Sequence, residues 1–161
     1  GELMMKAYKQ VFDLPYTIIR PSALYGERCV SRRVGQIFIE NAIQNLDINI
    51  NGDGEDKLDF TYIEDLVRGI SYCCDNEKAL NETFNITYGN ARKINDLIII
   101  LKNEFPKIKV FYHEKEKFMP ERGTLKIDKA KKLLNFQAKD PIEEGYVKYI
   151  SWYKKFWENL K

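Results

Sequence analysis

The sequence predicts an α/β chain, and three observations carry that expectation. Tyr16 to Arg20 (YTIIR) is a short run of β-branched and aromatic residues between Pro15 and Pro21, which reads as a buried strand. Asn51 to Gly69 (NGDGEDKLDFTYIEDLVRG) passes from a glycine turn through a polar strand into a helical pattern. Further strand-like runs, Asp47–Asn51, Glu82–Thr87 and Ile108–Tyr112, are separated by stretches of helical periodicity. Because Pro21 has no N–H for a sheet ladder, Ser22 to Gly26 must leave the first strand as an exposed turn. In open α/β sheets ligands lie in the crevice past a strand's carboxyl end, so this turn is the first place to look for a site.

A chain of 161 residues is long enough for one domain with its own core. Its charges nearly cancel, at a net +2, and the basic residues are spread rather than striped. Neither a nucleic-acid-binding surface nor an acidic tail fits that balance. Cys29, Cys73 and Cys74 are odd in number and two are adjacent, which argues against a disulfide framework and for a reduced, cytoplasmic setting. No signal-peptide pattern heads these residues, and the longest apolar run, Leu97–Leu101, is too short to span a bilayer. The expectation is a soluble protein that binds neither nucleic acid nor membrane.

Taken in order, Leu3, Met4, Ala7, Tyr8 and Val11 recur at helical spacing and form an apolar face, either for the core or for a second copy of the chain. Ser31 is placed to cap the next helix, whose apolar face is Val34, Ile37, Phe38, Ala42 and Ile43. Arg32 and Arg33 then fall in its first turn, where the helix dipole already presents positive charge. They are either a seat for an anion or two solvated cations. Asp47–Asn51 alternates strictly and predicts a half-exposed strand, followed by a tight turn at Asn51–Gly54 with glycines at positive φ. Leu58–Ile63 reads as one more strand. Glu64 or Asp65 can cap the helix from Leu66 to Cys74, and Asp65 is read as that cap rather than as a catalytic acid.

Beyond the strand at Glu82–Thr87, Asn95 is read as the cap of a helix that turns Leu97, Ile98, Leu101 and Phe105 inward and stops before Pro106. His113 is the only histidine, and with no cysteine or second histidine at ligand spacing it supports no metal site. It reads as a surface residue of a loop rich in Glu and Lys. Pro120–Asp128 (PERGTLKID) sets Arg122 on a glycine-flanked turn, either as an anion ligand or as one surface cation among many. Helices over Ile127–Phe136 and Ile142–Leu160 close the chain, with Trp152, Phe156 and Leu160 sharing one stripe for core packing.

RPSALYG at Arg20–Gly26, followed by GDGEDKLDFTYIEDLVRGI at Gly52–Ile70, resembles the carboxyl-terminal half of the extended short-chain dehydrogenases/reductases. The closest likeness is to the NAD-dependent sugar-nucleotide epimerase/dehydratase branch, and it runs from GELM at the start to IEEGYVKYISWY near the end. The resemblance implies the last part of a Rossmann sheet joined to a small α/β substrate-binding domain. Residues 1–28 would be a residual Rossmann helix and strand, and residues 29–161 the substrate-binding domain, with 84–87 returning to the Rossmann sheet. It further implies NAD or NADP held mainly by an amino-terminal Rossmann half, hydride transfer on a nucleotide sugar, and a homodimer.

Residue by residue, the resemblance places Pro21 and Ser22 at the nicotinamide end of the cofactor. Ala23 stands where many such proteins carry a substrate-binding asparagine. Val34 and Gly35 match positions that approach the nucleotide through backbone amides, and Asn49 and Asn51 match the strand flanking the base. Arg122, with Arg32 and Arg33, would grip phosphate or ribose. Leu58 departs from the pattern, since an arginine usually precedes Asp59-Phe60 to hold the diphosphate, and Lys57 should project to the opposite side of its strand. The family's Tyr-x-x-x-Lys pair and glycine-rich cofactor turn do not occur in these residues. The expectation is therefore the substrate-binding half of a longer epimerase or dehydratase, inactive alone and prone to self-association through bare strand edges. A carbonyl reductase of the same superfamily and a non-catalytic binding or oligomerisation module remain open as alternatives.

Overall fold

Four short strand pairs, rather than one broad sheet, organise the computed structural model, which describes residues 1–29, 31–118 and 120–159. Three pairs are parallel: β1 (Thr17–Arg20) with β6 (Glu82–Asn85), β2 (Leu24–Tyr25) with β5 (Thr61–Tyr62), and β3 (Ile48–Asn51) with β8 (Val110–His113). The fourth, β4 (Lys57–Leu58) with β7 (Arg92–Lys93), is antiparallel. Helices α1 (Glu2–Phe12), α2 (Val34–Ile43), α3 (Ile63–Cys74), α4 (Ile94–Glu104), α5 (Asp128–Leu134) and α6 (Ile142–Glu158) connect or flank them. Parallel pairing with intervening helices is the α/β arrangement that the alternating pattern predicts. None of the described helices is long and apolar enough to cross a membrane.

The period-2 alternation of β3 decides where the larger core lies. Ile48 and Ile50 turn into it, and Asn49 and Asn51 stay on the outer face. Phe38 and Ile39 of α2, Leu97 and Leu101 of α4, and Tyr146 and Tyr149 of α6 complete that core. A smaller one gathers Leu66, Phe84, Ile86, Leu134 and Phe136 beside the β1–β6 pair.

Helix α6 buries a different stripe from the one expected. Tyr146, Tyr149, Ile150 and Tyr153 face inward, while Trp152 is half-buried and stacks on exposed Phe156 at 5.1 Å. Leu160 lies outside the described residues. The tyrosines win because Tyr25 offers ring contacts to both Tyr146 and Tyr149, an arrangement aromatic edges and faces favour. Gly145 permits the approach, since a Cβ there would fall 2.2 Å from the Tyr25 hydroxyl. Gly145→Ala is accordingly expected to destabilise the chain by about 1–3 kcal/mol through overpacking, seen as a lower urea midpoint with unchanged slope.

Several local expectations are corrected. Ser22–Gly26 is not an open turn: it contains β2, with Tyr25 and Gly26 buried, because Tyr25 belongs to the aromatic core. Leu58–Ile63 is not one strand but the ends of two, β4 and β5, with Asp59 and Phe60 between them, and its last residue, Ile63, begins α3. Ser31 does not cap α2; Arg33 occupies that position, and the Ser31 hydroxyl instead accepts from Arg33 Nε at 3.2 Å. Asn95 lies inside α4, whose capping contact is the Lys93 N–H donating to Asp96. Helix α1 buries none of its residues in this chain, and Leu3, Met4 and Val11 stand exposed on it. An ion pair from Arg20 to Glu2 ties it to β1.

Candidate functional site

A cavity of about 370 Å³ opens where β2, the start of α2, the outer face of β3, β4 and the Pro120–Arg122 segment meet. Seven of the residues singled out from sequence line it: Ala23, Arg33, Val34, Gly35, Asn49, Asn51 and Arg122. They come from four separate stretches of chain. The buried part of the wall is apolar, with Phe38, Ile50, Phe60 and Ile94, while the polar and cationic groups are exposed at its mouth. An apolar pocket with a few convergent polar groups is the usual form of a small-molecule site.

Electrostatics give the mouth a sign. The first turn of α2 reaches the cavity with its backbone N–H groups lacking intrahelical partners, and it contains no acidic residue to neutralise them. Tyr146 fixes that turn from behind, its hydroxyl donating to the Gly35 carbonyl at 2.8 Å. Arg33 stands at the head of the helix, and Lys57 and Arg122 complete a cationic rim. Asp56, the one acidic residue of the wall, is engaged by Lys115. The arrangement suits a ligand that is anionic at one end and flat or apolar at the other.

Three expected residues stand apart. Arg32, adjacent to Arg33, takes φ 44° and sends its guanidinium to Glu40 at 3.4 Å instead of into the cavity wall. Exposed Pro21 and half-buried Ser22 lie at the carboxyl end of β1, just before the wall begins at Ala23. Lys57 corrects the opposite expectation. With β4 only two residues long, Lys57 and Leu58 both reach the wall, so a cation remains where Leu58 withholds one. Phe38 was legible only as part of an apolar helix face, and Phe60 and Ile94 were not singled out by any local pattern.

Two buried carboxylates brace the site without touching it. Asp59 is fully buried between Leu58 and Phe60 of the wall, and accepts from the Thr87 hydroxyl at 2.9 Å, the Gly89 N–H at 2.9 Å and the Leu125 N–H at 3.1 Å. That last bond anchors the segment carrying Arg122. Asp65, also fully buried, does not cap α3: it pairs with Arg68 and accepts the Lys139 and Asp140 N–H groups at 2.9 and 3.0 Å. It is a strut from α3 to the loop before α6. Around them burial pushes the hydroxyls of Tyr25, Tyr146 and Tyr149 well above the ordinary tyrosine range, so they stay protonated. Burial, reinforced by donation to Glu27 at 2.7 Å, does the same for Tyr62.

His113 is not part of a loose loop. It ends β8, its carbonyl accepts the Gly52 N–H at 2.9 Å, and its Nε2 lies 2.8 Å from Oδ1 of Asn49. Among the described residues no three His, Cys, Asp or Glu side chains converge to hold a metal ion.

Comparison with known proteins finds relatives across the chain. The model of the NAD dependent epimerase/dehydratase family matches residues 1–87. The UDP-glucuronate 4-epimerase of Thermodesulfobacterium geofontis is 32% identical over 169 aligned positions, covering 100% of this chain and 50% of that protein. Among solved structures, the UDP-glucose 4-epimerase of Thermotoga maritima with UDP-glucose superimposes with a TM-score of 0.88 at 28% identity, covering 97% of this chain and 51% of that one. The UDP-glucuronic acid 4-epimerase of Bacillus cereus, in complex with UDP-glucuronic acid and NAD, gives a TM-score of 0.90 at 25% identity, covering 97% and 50%. The chain spans about half the length of the curated relatives it matches.

Proposed function

The chain belongs to the NAD-dependent epimerase/dehydratase family, and from that premise we propose that it forms the nucleotide-sugar-binding half of an epimerase or dehydratase of this family. The observation that carries the reading is the single cavity shared by Arg33, the first turn of α2, Asn49, Asn51 and Arg122. A nucleoside diphosphate has the matching parts: two phosphates for the cationic rim and a flat base for the apolar and amide-bearing wall. In this reading Val34 and Gly35 present backbone N–H groups to a phosphate, and Arg33, Arg122 and Lys57 share its charge. Leu58 leaves the diphosphate to those three cations.

NAD bound beside this chain would supply hydride acceptance and return at the sugar. Exposed Pro21 and half-buried Ser22 leave the carboxyl end of β1 open, which fits a flat ring edge, and they are the residues of this chain that would line the nicotinamide. The Tyr-x-x-x-Lys pair that such chemistry uses does not occur in these residues, so the reading expects no turnover from them alone. The bare apolar face of α1 and the open edge of β1 would meet an amino-terminal Rossmann half or a second copy.

The direct test is calorimetric titration of the 161-residue chain with UDP and UDP-glucose. Arg33→Gln and Arg122→Gln are each expected to weaken binding about tenfold, the effect of losing one charge-assisted hydrogen bond. Arg32→Gln, whose guanidinium serves Glu40, is expected to leave affinity unchanged. Wild-type affinity in both cavity variants would overturn the reading.

A further inference from the structure

The contact between His113 and Asn49 goes beyond the charge and shape of the cavity. In the parallel β3–β8 register His113 stands opposite Asn51, and Asn49 stands opposite Phe111, all four on the outer face. The imidazole reaches diagonally to Asn49, Nε2 to Oδ1, at 2.8 Å. An amide oxygen has no proton, so this contact closes only with Nε2 protonated and donating. A carboxamide is planar and turns as a unit. With Oδ1 committed to the imidazole, Nδ2 is the group Asn49 has left to offer, and it makes no hydrogen bond among the described residues. Asn49 lines the cavity; His113 is not among the lining residues.

We infer that His113 is a positioning residue that holds the Asn49 amide with its N–H₂ toward the cavity, so that the site selects a 4-oxo pyrimidine base, such as uracil, over a 4-amino one. The inference rests on the nucleotide-binding reading above and deepens it. A carboxamide N–H₂ pairs with the O4 carbonyl of uracil. Against the 4-amino group of cytosine it sets donor against donor, and one partner is left unpaired. His113 touches no part of the base. It acts by deciding which end of Asn49 does.

The test uses calorimetry with UDP and CDP on the 161-residue chain, and the ratio of the two affinities is the readout. The two ligands share ribose and diphosphate, so changes in charge move both together and cancel in the ratio. Wild type is expected to favour UDP by about tenfold, the discrimination of one misplaced hydrogen bond. His113→Lys, which can only donate, should keep that preference. His113→Glu, which can only accept, should pull Nδ2 of Asn49 toward position 113, turn Oδ1 to the cavity and reverse the preference toward CDP. Asn49→Ala should bring the ratio near one in every background. Both positions are exposed strand sites, and a thermal melt of each variant confirms that the fold is retained.

An unchanged UDP preference in His113→Glu, with the preference lost in Asn49→Ala, would overturn the role of His113. Equal affinity of the wild type for UDP and CDP would overturn base selection while leaving the diphosphate seat intact. Binding of neither nucleotide would overturn both this inference and the reading on which it rests.

Discussion

Replacing Asp59 with alanine should lower folding stability by about 4 kcal/mol, because it strands the Thr87 hydroxyl and the Gly89 and Leu125 N–H groups around a fully buried position. Domains of this size have only about 5–15 kcal/mol in total, so the urea midpoint should drop by a large fraction of its value. Asp59→Asn keeps the volume and one acceptor oxygen, but its amide nitrogen cannot accept, and it should cost roughly half as much. The functional consequence is separable. Loss of the Leu125 anchor frees the segment that carries Arg122, so Asp59→Asn should weaken UDP binding and lower stability together. Arg122→Gln, on an exposed irregular segment, should weaken binding without moving the midpoint. Full stability in Asp59→Ala would show that the carboxylate does not hold these segments together.

The second large effect is alkaline unfolding. Burial raises the hydroxyls of Tyr25, Tyr146 and Tyr149 above the ordinary tyrosine value of about 10. Above that pH the unfolded chain releases protons that the folded chain retains, so rising pH favours unfolding. The stability these groups supply is complete below about pH 10 and is lost as the pH climbs toward their raised folded values. Each contributes a slope of about 1.4 kcal/mol per pH unit, and the three together about 4. With about 5–15 kcal/mol to remove, the tyrosinate absorbance of the buried hydroxyls and the loss of circular dichroism should therefore appear together in one cooperative step more than about one pH unit above 10. Tyr25→Phe removes a buried hydroxyl that has no hydrogen-bond partner among the described residues, and it should shift that step upward while raising stability at neutral pH. Ionisation of all ten tyrosines with the fold intact would contradict the assigned burial.

What could be read from sequence was what rests on strict period or on turn chemistry. The alternation of Asp47–Asn51 placed Asn49 and Asn51 on the outer face, and Gly52 and Gly54 do take positive φ, at 89° and 78°. What could not be read was set by tertiary neighbours. Arg32 and Arg33 are chemically alike, and only the left-handed backbone at Arg32 and the nearby Glu40 send one away from the cavity. The aromatic stripe of α6 went to the tyrosines because Tyr25, more than a hundred residues away, supplies their partners. Asp65 sits where a cap could be, but the loop at Lys139 and Asp140 claims its oxygens. His113 looked solitary because its partner lies across a strand pairing that no local pattern announces.

The cavity wall draws on residues 23–60, then Ile94, and last Pro120 and Arg122. During synthesis β3 and the amino end of α2 emerge well before the arginine that closes the rim, and the tyrosines of α6 that pack behind them emerge later still. Because domains fold as units, a nascent chain stalled short of α6 would lack the tyrosines against which the cleft is packed. The cleft therefore takes shape only once α6 has left the ribosome.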